Sequence, residues 1–288
     1  MTKIQSTYEV VIRPKQPWLH FDWRGLVQYR DLFFEMVRRD FSARYKQTIL
    51  GPAWFVINPL ITTVIMILVF SKGLGVPTNG IHPALFFLGG QLAWGYFSQV
   101  LGGTGNTLSG NAHLFGKVYF PRLIVPFSVV ASSLISFAIQ LASLAVVYGF
   151  LVTSDPTVTS RPTVWLLTMP LIILHTAVLA LGTGLILSAI SAKYKDFAHL
   201  TTYLLQIWFY VSPIIYPLST IQEKYPQWQW VPMINPMTCI LENTRAVLFG
   251  SQGVTAPQYA ISVAISVVTL AIGVLVFQRT ARTFIDYV

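Results

Sequence analysis

Residues 211–236 read VSPIIYPLSTIQEKYPQWQWVPMINP, and the way this stretch is read decides how the chain is organised. Pro213, Pro217, Pro226, Pro232 and Pro236 fall within it, between strongly apolar flanks. Each proline removes a backbone donor and fixes φ, so no regular helix can run through. Glu223 and Lys224 bring the middle of the stretch to water. Two organisations fit. One is an external loop whose Trp228 and Trp230 lie on a membrane surface. The other is a pair of short helices that turns back into the bilayer. Non-helical backbone at membrane depth is tolerated only where protein buries it or where it lines a cavity.

The rest of the chain supplies the membrane. Of 288 residues, 54% are hydrophobic and 10% charged, with a mean hydropathy of +0.60. A soluble domain carries about 25% charged residues. Cys239 is the single cysteine, which excludes an intrachain disulfide and a cysteine metal site. Residues 1–22 are polar and proline-spotted, which argues against a cleaved signal peptide.

A helix needs about 20 mostly apolar residues to cross the hydrocarbon core. Charge-free intervals of that length predict six spans, at 51–71, 84–105, 122–152, 163–190, 199–216 and 255–278, with a re-entrant segment at 217–245. Lysine and arginine placement orients them. One set of segments carries Lys3, Arg13, Lys15, Arg24, Arg30, Arg38, Arg39, Arg44 and Lys46, then Lys117, Arg122, Lys193, Lys195, Arg279 and Arg282. The opposite set carries only Lys72, Arg161, Lys224 and Arg245. Both termini are therefore expected in the cytoplasm. The net charge of +9 follows from this asymmetry rather than from nucleic-acid binding.

Before the first span, Leu26, Tyr29, Phe33, Val37 and Phe41 recur at helical spacing. Glu35 can meet Arg39, and Asp40 can meet Arg44, at i, i+4. The organisation expected is a cytoplasmic tail (1–22), an amphipathic interface helix (23–48) and a six-span domain (49–288). The helix either anchors the first span or uses Arg38, Arg39, Arg44 and Lys46 to hold an anionic lipid head group.

The six apolar hearts hold no Asp, Glu, Lys or Arg, and His175 is the one titratable group deep within a span. Proton coupling and carboxylate-pair catalysis are both poorly served. No metal cluster and no cofactor motif stands out. The nearest thing to a phosphate loop, GNAHLFGKV at 110–118, has five residues between its glycines and Val118 where magnesium needs a hydroxyl. Energy must come from another chain. Aromatics are abundant instead: Trp54, Trp94, Tyr96, Tyr203, Trp208, Tyr210 and Tyr216 are candidates for a channel lining. Interfacial belts are the plain alternative. Glycines 89, 90, 95, 102, 103 and 105 thin the second span and permit close helix approach.

Three stretches carry a resemblance: RRDFSARYKQTILGPAWFVINP (38–59), the SPIIYP and INP of the opening segment, and NPMTCILENTRAVL (235–248). With six spans, they resemble the permease subunits of ABC exporters for polysaccharides such as O-antigen, capsule and teichoic acid, the O-antigen branch being nearest. The resemblance implies a homodimer with two separate ATP-binding subunits in the bacterial inner membrane. It implies a polyprenyl-diphosphate-linked glycan as substrate. It implies ATPase-coupling elements at 108–117 and 194–199, here Asn111, His113, Phe115, Lys195 and Asp196. Pro213, Pro217, Glu242 and Arg245 would belong to an external gate. Two alternatives stand beside this reading. One is a permease for a drug or simple lipid, a class that often carries a large external domain. The other is a membrane-embedded glycosyl- or lipid-processing enzyme. It would need an acidic cluster; Asp22, Asp31, Glu35 and Asp40 are the candidates, and helical ion pairs account for three of them.

Overall fold

The computed structural model describes residues 27–46, 48–115, 117, 120–156, 158–194, 196–228 and 230–283. The expected tail, the start of the interface helix and Lys195 lie outside these. Among the described residues every regular element is helical.

Helix α1 (Arg30–Tyr45) has Asp31 in its first turn and Arg44 in its last, which complements the helix dipole. Its buried face centres on Met36, with Tyr29, Leu32 and Phe33 beside it. Helix α2 (Trp54–Met66) opens from a 3-10 turn carrying Pro52 and continues as a π-helical run, Ile67–Gly73. Pro59 lies inside α2 and removes a helical hydrogen bond there. Helix α3 (Pro83–Gly105) starts with Pro83 at its first position, and His82 Nδ1 accepts from the Ala84 amide. Two single turns follow, α4 (Thr107–Gly110) and α5 (Ala112–Phe115). Helix α6 (Ile124–Ser154) is about 46 Å long at 1.5 Å per residue. Helix α7 (Met169–Lys193) then turns at Tyr194 into α8 (Asp196–Val211).

The proline-rich stretch breaks as its composition demands. α8 stops at Val211, and residues 212–217 are irregular. They lead to α9 (Leu218–Lys224), a turn at Pro226–Trp228, α10 (Val231–Ile234) and α11 (Pro236–Phe249). Asn235 caps α11 by accepting from the Met237 amide, and Gly250 ends it with a left-handed φ of 76°. Helix α12 (Ala256–Thr283) closes the chain.

α3 is the hub. It packs on α6, α7 and α11, and α12 lies along the far side of α7. α2 packs mainly on α3 and α6, and α8 mainly on α7 and α3. The α3 glycines have identifiable partners. A Cβ on Gly89 would lie 2.6 Å from the Phe249 ring, and one on Gly103 2.6 Å from Val129 Cγ1. Buried Met36, Leu108, Phe115, Phe120 and Phe277 form a second apolar cluster that joins α1 to the α4–α5 corner.

Among the described residues four helical runs are long and apolar enough to cross a membrane: Gly51–Gly73, Ile124–Ser154, Val164–Lys193 and Ala256–Arg282. Away from their ends, many exposed side chains are apolar, among them Ile61, Val64, Val146, Phe150, Leu171 and Val268, while exposed Lys72, Lys193, Arg279 and Arg282 sit near the ends. The other two expected spans differ for separate reasons. α3 has the length, but it carries six glycines and the polar side chains Gln91, Ser98, Gln99 and Thr104. α8 has 16 residues, about 24 Å against a hydrocarbon core of about 30 Å.

Candidate functional site

A cleft of about 510 Å³ opens between α1, α2, α3, α6 and α8. Its polar lining comes from Arg44, Asn58, Thr62, Gln91, Gln99 and Gln140. Trp54, Trp94 and Phe209 supply aromatic walls. Helical spacing makes this face: Trp54, Asn58 and Thr62 follow at i, i+4, i+8, as do Gln91, Gly95 and Gln99. Gly95 leaves room for the opposing amide, since a Cβ there would lie 3.1 Å from Gln140 Oε1. Gln91 Nε2 donates to Thr63 Oγ1 at 2.8 Å, and Arg44 Nη1 donates to Gln99 Oε1 at 2.8 Å. Trp94 meets Phe209 edge-on at 5.6 Å. Neutral amides beside indoles suit hydroxyl-rich, uncharged surfaces such as sugars. They hydrogen-bond without the cost of a buried charge.

The expected aromatics separate into distinct environments. Trp54 and Trp94 line the cleft. Tyr96 is 2% exposed and packs edge-on against Phe137 in the core. Tyr203 and Tyr210, 62% and 57% exposed, lie on the open face of α8. Trp208 borders a separate apolar groove with Leu101, Ile186 and Leu204. Tyr216 donates its hydroxyl to the Val211 carbonyl at 3.2 Å, across the end of α8.

A second constellation binds the two proline motifs together. Arg245, 1% exposed, donates from Nη1 to the Pro213 carbonyl at 2.7 Å and from Nη2 to the Ile214 carbonyl at 2.8 Å. Its Nη1 also meets Glu242 Oε1 at 3.2 Å, and its guanidinium lies 3.8 Å over the Phe86 ring. Glu242 Oε1 accepts from the Leu218 amide at 3.3 Å, at the start of α9. Asn235 Nδ2 donates to Ser212 Oγ at 2.9 Å, and Asn235 Oδ1 accepts from Trp208 Nε1 at 2.9 Å. Carbonyls left orphaned where α8 ends thus find donors on α11. Glu242 and Arg245 form a buried pair, not a surface one. Pro213 and Pro217 are buried in the same turn.

The basic residues of α1 behave unlike one another. Arg39 pairs with its neighbour Asp40 at 2.8 Å rather than with Glu35, and also donates to Asn111 Oδ1 at 3.4 Å. Arg44 turns to Gln99 rather than to Asp40, because α1 packs along α6 and brings Asp40 to Ser128. Arg38 and Lys46 are exposed. At the α4–α5 corner, His113 is exposed and Asn111 half-buried, while Phe115 is buried on Phe120. Asp196 is exposed in the first turn of α8, so 196–199 forms no separate short helix.

The amides Asn58, Gln91, Gln99 and Gln140 escape a search for charge within spans. Their signal is polarity at helical spacing in apolar surroundings, which is costly in a membrane and makes them candidates for a functional face.

Comparison with known proteins matches residues 31–249 to the ABC-2 type transporter family. The O-antigen export system permease protein RfbA of Myxococcus xanthus is 30% identical over 267 residues, 91% of this chain and 97% of that protein. Two O-antigen export system permease proteins RfbA of Klebsiella pneumoniae are 25% and 23% identical, each over 89% of this chain and 94% of its own length.

Proposed function

Since the chain belongs to the ABC-2 type transporter family and is a permease subunit of a polysaccharide exporter, we propose that it passes an O-antigen-type glycan, carried on a polyprenyl diphosphate, outward across the bacterial inner membrane. It is a multi-pass membrane protein and a transport subunit rather than an enzyme. The observation that carries the substrate class is the cleft, whose amides and indoles offer sugars hydrogen bonds and stacking faces.

In this reading six helices cross the bilayer, α3 and α8 together with the four apolar runs. Both termini lie in the cytoplasm, where lysine and arginine concentrate. The segment from 217 to 245 re-enters the outer leaflet, and the Arg245–Glu242 constellation holds it as an external gate. The irregular residues that lead into it, 212–217, are mostly buried in protein, which is the condition for such backbone at membrane depth, while 223–228 are exposed. Two copies of the chain face each other across their clefts, with Trp54, Tyr203 and Tyr210 on the shared channel. Two ATP-binding subunits dock from the cytoplasm against His113, Asn111 and Asp196. Phe115 fixes that corner from inside.

The test is co-purification of the tagged chain with an ATP-binding subunit whose turnover changes on association. The expected result is a stable complex of two copies of each. A chain that recruits no ATPase from a strain making its surface glycan contradicts the proposal.

A further inference from the structure

Of the four basic residues at the end of α1, one is placed differently from the rest. Arg38 and Lys46 are exposed, and Arg39 is neutralised by Asp40. Arg44 points into the cleft. Its bonds go to Gln99 Oε1 at 2.8 Å and to Ser136 Oγ and Ser133 Oγ at 3.5 Å. All three partners are neutral. Among the described residues no carboxylate lies within ion-pair distance of it. The acid one turn earlier is already engaged: Asp40 Oδ1 accepts from Arg39, and Asp40 Oδ2 from Ser128 Oγ at 3.3 Å. A half-buried guanidinium whose partners are all neutral has no counter-charge beside it, so an anion in the cleft would be favoured.

Guanidinium forks match phosphate oxygens two at a time. We infer that the cleft is a seat for a phosphate-bearing sugar head group, with Arg44 binding the phosphate and Gln91, Gln140 and Asn58 binding the first sugar's hydroxyls. Trp94 gives that sugar a stacking face. Identifying the occupant as the lipid-linked glycan rests on the exporter reading; the phosphate seat itself does not. The geometry separates Arg44 from Arg38 and Lys46, which the sequence alone places on an equal footing.

The test uses the full-length chain in phosphatidylcholine nanodiscs, with tryptophan fluorescence reporting on Trp54 and Trp94. The probes are a short prenyl diphosphate bearing N-acetylglucosamine, the same prenyl diphosphate without sugar, and phosphatidylglycerol. Arg44→Gln is expected to weaken the sugar-bearing probe at least tenfold, and Arg44→Lys, which keeps the charge but not the fork, to restore only part of the loss. Arg38→Gln is expected to shift it less than twofold. Gln140→Leu keeps diphosphate binding and erases the preference for the sugar-bearing probe, which guards against an Arg44 variant that merely unfolds. Equal affinity of Arg44→Gln and the unaltered chain overturns the seat. Phosphatidylglycerol binding as tightly as the sugar-bearing probe overturns its assignment to the glycan lipid. Binding that survives in a chain exporting no glycan sustains the seat and removes the exporter reading.

Discussion

The Arg245 guanidinium donates to the Pro213 carbonyl at 2.7 Å, across 32 residues of chain and out of reach of solvent. This bond joins the broken end of α8 to α11. Removing the cation leaves Glu242 buried without its counter-charge, held only by the Leu218 amide, together with two carbonyls. Losing one member of a buried ion pair costs about 3–5 kcal/mol. Arg245→Met is expected to lower the unfolding temperature of the purified protein sharply. Pairing it with Glu242→Gln recovers part of the loss, because the stranded charge is gone. Thermal unfolding in detergent checks both.

Gly90 reports on the same contact from α3. A Cβ there would lie 2.8 Å from Arg245 Nη2 and 3.4 Å from the Ile214 carbonyl oxygen. Gly90→Ala is expected to destabilise by about 1–3 kcal/mol through overpacking. Gly149→Ala in α6 meets nothing within 4 Å and is expected to stabilise by up to about 1 kcal/mol through helix propensity. The opposite signs, read in one unfolding assay, separate crowding from propensity.

Within the cleft, Gln140→Leu and Trp94→Leu remove recognition without exposing core. Surface glycan in a complemented deletion strain is expected to fall severalfold for each, at unchanged protein abundance. Tyr96→Leu makes the contrast: its ring packs on Phe137, so abundance falls together with export.

The α4–α5 corner divides in the same manner. Phe115→Ala opens a cavity beside Phe120 and is expected to cost about 3–5 kcal/mol. His113→Ala touches an exposed side chain and leaves stability unchanged. Its expected effect is weaker stimulation of the partner's ATP hydrolysis, measured on the purified complex.

Much of the architecture is legible from local signals. Hydropathy marks the apolar runs, and proline and glycine mark where α8 stops and where α11 begins and ends. Ser212–Pro213 and Asn235–Pro236 stand out as motifs, but only folding brings Ser212 Oγ within 2.9 Å of Asn235 Nδ2. Arg245 reads as an ordinary charge on an outer face because the carbonyls it satisfies are 31 and 32 residues away. The cleft is the least legible part. Gln91, Gln99 and Gln140 are each unexceptional, and their meaning lies in convergence from two helices. Phe115 has the look of a docking residue because an aromatic in a polar loop gives no hint of the Phe120 pocket that receives it.

The most direct measurement is ATP-driven glycan translocation by this chain reconstituted with its ATPase in proteoliposomes, scored as lectin-accessible glycan on the far side. Lipid-linked glycan that crosses with ATP, and crosses at a tenth of that rate or less with Arg44→Gln, is the predicted result. Glycan that stays on the near side while ATP is hydrolysed at full rate would contradict the account.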